Sequence, residues 1–251
     1  MPAQQQKRLT KREKRVLSQQ GILDQDAQLT RTFSISKSIR PMTENQRLAF
    51  EYWADDYNLM LHGIAGTGKT FLGLYFAINE VMKQNNTFQK VYIVRSTVPT
   101  RDQGFMPGSQ KQKEAVYEAA YVDIANELFQ RGDAYQILKQ KQLIEFTSTS
   151  FLRGVTFRDC IVVVDEVQNM SDQELHTVMT RIGENSRIIF CGDVKQDDLT
   201  SERKKEMSGL RNFMRVINNM KEFEFIEFVA DDIVRSQLVK SYIIERDRLG
   251  L

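Results

Sequence analysis

One octapeptide has the residue types and spacing that bind phosphate. Positions 63–70 read Gly-Ile-Ala-Gly-Thr-Gly-Lys-Thr, which matches Gly-x-x-x-x-Gly-Lys-[Ser/Thr] in full. Glycines allow backbone N–H groups to turn toward a phosphate, a lysine adds a full positive charge, and a threonine hydroxyl can ligate Mg²⁺. The motif predicts a nucleotide-binding phosphate loop made of Gly63, Ile64, Ala65, Gly66, Thr67, Gly68, Lys69 and Thr70.

Two carboxylates follow an apolar run later in the chain. Residues 160–164 are Cys-Ile-Val-Val-Val, and Asp165 and Glu166 come directly after them. The β-branched run predicts a buried strand that carries Asp165 to the carboxyl edge of a sheet. An aspartate there holds Mg²⁺, and Glu166 is placed to polarise an attacking water as general base. The acid pair favours an ATPase over a small GTPase, and the guanine-reading Asn-Lys-x-Asp sequence is absent.

A third strand end carries an amide. Gly192, Asp193 and Gln196 follow the apolar run at 188–191. We interpret Gln196 as a sensor of the γ-phosphate or of its attacking water. The alternative is a plain Gly-Asp turn with a solvated glutamine, and Asp193 could equally be an N-cap or a loop anchor.

The elements that must position these groups alternate along the chain. Hydrophobic periodicity predicts strands at 58–62, 91–94, 143–146, 160–164, 187–191 and 223–229, and helices at 69–84, 110–129, 172–182 and 208–220. Short strands separated by crossover-length segments indicate an α/β fold, with a mostly parallel sheet and helices on both faces. Ligands bind such sheets at the carboxyl ends of the strands.

The composition of the chain excludes several other classes of protein. The 251 residues are 41% hydrophobic with a net charge of +2. No apolar run approaches the roughly 18 residues of a membrane-spanning helix, and the N-terminus has no apolar signal region. Two cysteines, Cys160 and Cys191, suggest neither a disulfide framework nor a zinc site, and we expect them to be small apolar core residues. We therefore expect a soluble, cytoplasmic protein without a membrane partner.

The charge is unevenly distributed. Residues 1–40 hold nine Lys and Arg against three Asp and Glu, so the remainder carries a small negative charge. We expect a basic N-terminal arm at 1–40, followed by one domain at 41–251. The arm is either a solubilising segment, partly disordered or helical, or a contact for nucleic-acid phosphates.

The three motifs in this order resemble those of the PhoH-like ATPases, a family similar to the first RecA-like domain of superfamily 1 helicases. Segments 41–46, 95–108, 151–157 and 232–239 resemble further motifs of the family. The segment 95–108 and the basic arm look most like the phage-encoded branch. Val167 and Ser236 stand where the family usually has Ala and His.

The resemblance implies a RecA-like domain that binds ATP and Mg²⁺. It implies that Thr70 and Asp165 hold the metal and that Gln46 reads adenine through both atoms of its amide. It also implies a catalytic set of Lys69, Glu166, Gln196 and Arg235, with Arg235 as an arginine finger. A surface salt bridge is the alternative for Arg235.

Two classes of function remain open. We favour an ATP-driven, helicase-like motor or remodeller on RNA or single-stranded DNA, with strand contacts at Arg95, Thr97, Arg101 and Phe105. The other class is an ATP-switched regulatory or assembly protein; a small-molecule kinase would need an acceptor signature that we do not find. Because the chain has room for one RecA-like domain, we expect a homo-oligomer, a hexameric ring by family resemblance, in the cytoplasm of the host if the chain is phage-encoded.

Overall fold

The computed structural model describes residues 33–84, 86–96, 110–193 and 205–249. Six strands within them are β1 Asn58–Gly63, β2 Lys90–Arg95, β3 Ile144–Ser148, β4 Cys160–Asp165, β5 Ser186–Gly192 and β6 Phe223–Phe228. They form one sheet in the order β3-β2-β4-β5-β1-β6, and every pairing in it is parallel. The six predicted strands are confirmed, each within one residue at its start and two at its end.

Seven α-helices occur in the described ranges. They are α1 Glu44–Ala54, α2 Lys69–Val81, α3 Gln110–Phe129, α4 Ala134–Gln140, α5 Asp172–Arg181, α6 Lys205–Ile217 and α7 Gln237–Arg248. The predicted helices correspond to α2, α3, α5 and α6, although α6 lies three residues earlier than expected. The predicted helices do not include α1, α4 and α7; α4 has only seven residues, too few to show a helical repeat. None of these helices is both long and apolar enough to cross a membrane.

Alternating side chains divide the strands between two cores. Leu59 and Leu61 of β1 pack with α1, α2, α3 and α4, whereas Met60 between them packs with α5 and α6. Helices therefore cover both faces of the sheet, as predicted. Cys160 and Cys191 are buried free thiols whose pKa is raised by burial, in agreement with their assignment as core residues.

The packed body begins earlier in the chain than the predicted boundary at residue 41. Phe33 is buried and stacks on Phe129 with ring centroids 4.4 Å apart. The N–H groups of Ser36 and Lys37 both donate to the Leu128 carbonyl, at 3.1 and 3.0 Å. Charge counting assigned 33–40 to the arm because it ignored the apolar residues in this segment. Residues 1–32 lie outside the described residues.

Candidate nucleotide site

The phosphate loop lies between the end of β1 and the start of α2, as predicted. Gly63, Gly66 and Gly68 all have positive φ, at 115°, 79° and 86°. At Gly63 a side chain is also excluded by space, because a Cβ would collide with the Phe228 carbonyl of β6. The glycine is therefore needed both for its backbone conformation and for the close approach of β6.

The loop is folded around its own lysine. Lys69 is buried, and its Nζ donates to the carbonyl of Ile64 at 2.6 Å and to Thr67 Oγ1 at 3.2 Å. It also forms an ion pair with Asp193 Oδ1 at 2.8 Å. Asp193, whose role the sequence left open, is thus the carboxylate partner of Lys69. An incoming triphosphate would compete with Asp193 for the ammonium group.

The two predicted metal ligands meet directly. Thr70 Oγ1 donates to Asp165 Oδ1 at 2.7 Å, and Asp165 is buried at the end of β4. A hydroxyl and a carboxylate are the oxygen donors that Mg²⁺ prefers, and Mg²⁺ commonly takes its remaining ligands from water and substrate phosphates. The donor set therefore fits Mg²⁺.

A tyrosine that the sequence analysis did not select holds the other oxygen of Asp165. The Tyr121 hydroxyl, on α3, donates to Asp165 Oδ2 at 2.9 Å, and the residue is 1% exposed. Burial raises the pKa of Asp165, whereas the bonds from Thr70 and Tyr121 and the charge of Arg95 oppose the rise. In the sequence, Tyr121 is indistinguishable from an apolar core residue of a helix.

Glu166 has an unusual backbone. Its φ is 56°, in the left-handed region that costs a non-glycine residue on the order of 1 kcal/mol. Burial and the negative charge of Asp165 raise the pKa of Glu166, while Arg95 lowers it. A carboxylate with a raised pKa is a stronger base toward water, which suits the predicted role of general base.

The Arg95 side chain lies near Asp165 and Glu166. Its Nη2 lies 3.9 Å from Glu166 Oε1, and its guanidinium lies 5.4 Å from the centroid of the Tyr117 ring. Burial opposes its charge, but Tyr121, Glu166 and Asp165 together raise the pKa of Arg95. The residue predicted as a strand contact therefore neighbours the candidate base. The strand contacts predicted with it (Thr97, Arg101 and Phe105) and the predicted sensor Gln196 lie outside the described residues.

Gln46 joins the phosphate loop to the start of α1. It is 4% exposed, and its Nε2 donates to the Thr67 carbonyl at 3.3 Å, while its Oε1 accepts from the Met42 N–H at 2.8 Å. Both atoms of the amide are thus already bonded to the protein. A bidentate contact with adenine, as the resemblance implies, would require both bonds to open.

The segment before α7 lies on the phosphate loop. The Val234 N–H donates to the Gly66 carbonyl at 3.3 Å, and a Cβ at Gly66 would lie 3.3 Å from Cγ of Arg235. Arg235 is exposed, with the stem of its side chain beside the phosphate loop of its own chain. The structure thus brings the predicted arginine finger to the loop from the distant end of the chain.

A family model described as PhoH-like protein matches residues 38–245. The chain belongs to the PhoH family. Its PhoH-like relatives include one from Mycobacterium leprae (strain TN), 31% identical over 215 residues that cover 82% of this chain and 58% of the relative. Another, from Bacillus subtilis (strain 168), is 32% identical over 216 residues, covering 84% and 65%. This PhoH-family chain thus spans less than two thirds of the length of these relatives.

Solved structures with a similar chain path include the large terminase of a thermophilic bacteriophage in complex with ADP. The superposition of the two chains has a TM-score of 0.49 at 12% sequence identity, and it covers 80% of this chain and 49% of the terminase. The family match confirms the resemblance stated from the motifs, and the parallel sheet confirms the expected α/β class. The PhoH-family chain thus has an α/β fold whose parallel six-stranded sheet carries a phosphate loop between β1 and α2.

Proposed function

We propose that this PhoH-family domain binds and hydrolyses Mg²⁺-ATP to drive movement along, or remodelling of, RNA or single-stranded DNA. One observation carries the proposal: Lys69, Thr70, Asp165 and Glu166 converge at the carboxyl edge of β1 and β4. A cation for phosphates, two oxygen donors for a metal and a base for water are the parts that phosphoryl transfer requires.

Each residue has a defined task in this proposal. Lys69 exchanges Asp193 for the phosphates of ATP, and Thr70 and Asp165 hold Mg²⁺. Bound Mg²⁺ would supply positive charge to the transferred phosphoryl group. Glu166 accepts the proton of the attacking water, while Gln196 senses the nucleotide state. Gln46 reads adenine through its amide once its bonds to Met42 and Thr67 open, and Arg235 stabilises transition-state charge.

The test is steady-state ATP hydrolysis with and without single-stranded RNA and DNA. Stimulation of several-fold that is lost in Glu166→Gln would support the proposal. Glu222→Gln is the matched control, because Glu222 is exposed and precedes β6 at the opposite edge of the sheet. Slow ATP hydrolysis that neither RNA nor DNA changes would contradict a motor function. It would leave an ATP-switched regulatory protein as the remaining interpretation.

We further propose that ATP sites lie at contacts between copies of this chain in a homo-oligomeric ring. Leu238 and Tyr242 are exposed on α7, and their spacing of four residues places them on one face of the helix. This face belongs to the same segment that contacts the phosphate loop. An apolar stripe beside the nucleotide loop fits a neighbouring subunit.

Mixing inactive variants tests the arrangement. If Arg235 acts on a neighbour, Lys69→Ala and Arg235→Ala subunits together recover activity that neither has alone. No recovery would assign Arg235 to its own site, in agreement with its position beside Gly66. A monomeric mass at all protein and ATP concentrations would contradict the ring.

A further inference from the structure

The short segment after β3 presents an aromatic ring to solvent. Phe151 is 47% exposed, and no other phenylalanine of the described residues has an exposed side chain. The exposed Arg153 follows two residues later. We propose that these two residues, here called the strand platform, bind a single strand of RNA or DNA: a base stacks on Phe151 and a phosphate pairs with Arg153. The inference rests on the proposed function and extends it to a specific surface.

The turn that carries the ring is held from both sides. Thr149–Phe151 is a 3₁₀ helix whose cap, Ser148, accepts from the Ser150 N–H at 3.3 Å. The next residue, Leu152, is fully buried. The Thr149 hydroxyl donates to the Glu174 carboxylate at the start of α5. The ring is therefore presented by an ordered turn, and a preorganised stacking surface loses less entropy on binding.

The strand platform lies close to the nucleotide site without being part of it. Ser148 of β3 pairs in register with Arg95 of β2, and β2 in turn neighbours β4, which ends at Asp165. The Ser96 hydroxyl donates to the same Glu174 carboxylate at 2.9 Å, which ties the end of β2 to the turn. A strand bound at Phe151 would thus be separated from Glu166 by one β-strand, whose last residue, Arg95, is an ion-pair partner of Glu166.

The chemistry of the surface favours nucleic acid over a protein partner. The exposed sequence neighbours of Phe151, namely Ser150, Arg153 and Gly154, are not apolar, so the adjoining residues of the chain do not extend the ring into an apolar patch. A protein interface core is built from such patches. An aromatic face combined with a cation is what binds a single strand without sequence preference, because every base has a π-face and every nucleotide a phosphate.

The test is fluorescence anisotropy of labelled oligo(U) and oligo(dT) with the full chain and no nucleotide. Phe151→Ala should weaken binding about 5- to 150-fold, the range for loss of one base stack, and Phe151→Trp should restore it. Arg153→Gln should weaken binding and reduce the slope of log affinity against log salt by about one. Val216→Ala, an exposed apolar residue on α6, is the matched control and should change nothing.

The outcomes separate this inference from the proposed function. If the unaltered chain binds neither polymer, the nucleic-acid part of the proposed function fails, and this inference fails with it. If the unaltered chain binds and Phe151→Ala binds equally well, the strand platform is overturned while the proposed function stands. A changed sedimentation coefficient in Phe151→Ala with unchanged oligonucleotide affinity would instead make this surface a contact between copies.

Discussion

At the scale of single residues, the candidate metal site depends on a carboxylate held from two directions. Asp165 accepts from Thr70 through one oxygen and from Tyr121 through the other. Thr70 belongs to the phosphate loop and Tyr121 to a helix on one face of the sheet, so the orientation of the carboxylate is set by two separate elements. A ligand fixed in this way loses little freedom when it binds a metal.

Replacement of Tyr121 tests this positioning. In Tyr121→Phe the ring and its packing remain, but Asp165 loses a hydrogen bond of about 1–2 kcal/mol. We expect the Mg²⁺ concentration for half-maximal ATP hydrolysis to rise about 5- to 30-fold, with a parallel loss of Mg²⁺-dependent binding of a fluorescent ATP analogue. Tyr135→Phe is the matched control: Tyr135 is equally buried, and its hydroxyl bonds Glu118 outside the site. Equal behaviour of the two variants would contradict a positioning role.

The charge of Arg95 should determine the pH below which ATP hydrolysis is lost. Arg95 lowers the pKa of both Asp165 and Glu166, against the effect of burial. In Arg95→Gln both pKa values rise, and because hydrolysis requires the carboxylates, activity should be lost at a higher pH than in the unaltered chain. Arg95→Lys keeps the charge and should shift this pH less. The measurement is kcat against pH at saturating Mg²⁺-ATP, and an acid limb that does not move in Arg95→Gln would refute the assignment.

At the scale of elements, the phosphate loop depends on how closely β6 approaches the end of β1. Gly63 pairs with Phe228, and the Ile64 N–H donates to the Phe228 carbonyl at 2.9 Å. The segment after β6 then returns over the loop as Val234 and Arg235. β6 therefore contacts the first residues of the phosphate loop, and the segment that follows β6 places Arg235 beside the loop.

A single methyl group at Gly63 should disturb this junction. Gly63→Ala combines an unfavourable φ with a collision against the Phe228 backbone, and we expect a loss of about 2–4 kcal/mol in the free energy of unfolding. Gly132→Ala is the control, because a Cβ there meets nothing within 4 Å, and it should change stability by less than about 1 kcal/mol. Both are measured by urea unfolding without nucleotide. A neutral Gly63→Ala would show that β6 can move away from the loop.

At the scale of the whole molecule, the segment 33–40 is part of the packed body. Phe33 stacks on Phe129, and the Arg131 guanidinium lies 5.7 Å from the centroid of the Phe33 ring. The segment thereby covers the end of α3, the helix that also carries Tyr121. The packing of this segment and the position of Tyr121 in the candidate site therefore both depend on α3.

Truncation of the Phe33 ring tests the extent of the domain. Phe33→Ala should lower the free energy of unfolding by about 3–4 kcal/mol, as for other buried phenylalanines. The same substitution at the exposed Phe151 should cost far less, which separates burial from residue type. Thermal and urea unfolding of the full chain measure both. Equal, small losses in the free energy of unfolding of the two variants would place the start of the domain near residue 41.

The sequence by itself determined the phosphate loop, the Asp165–Glu166 pair and the strands that carry them. Each of these is encoded by neighbouring residues: glycines at fixed spacing, a lysine, and an unbroken β-branched run that ends in two acids. Parallel pairing then follows from the crossover lengths, and it brings the carboxyl ends to one edge. Local chemistry and local periodicity were sufficient for these features.

The tertiary structure alone decided which groups surround them. Tyr121 reaches Asp165, Asp193 reaches Lys69, and Gln46 bonds the loop, in each case from a distant part of the chain. Hydrogen bonds and ion pairs depend on distances of a few ångströms, and no local pattern records which helix face or strand end will arrive at such a distance. The residue types that perform the chemistry are therefore visible in the sequence, whereas the contacts that orient and tune them exist only once the sheet and its helices have packed.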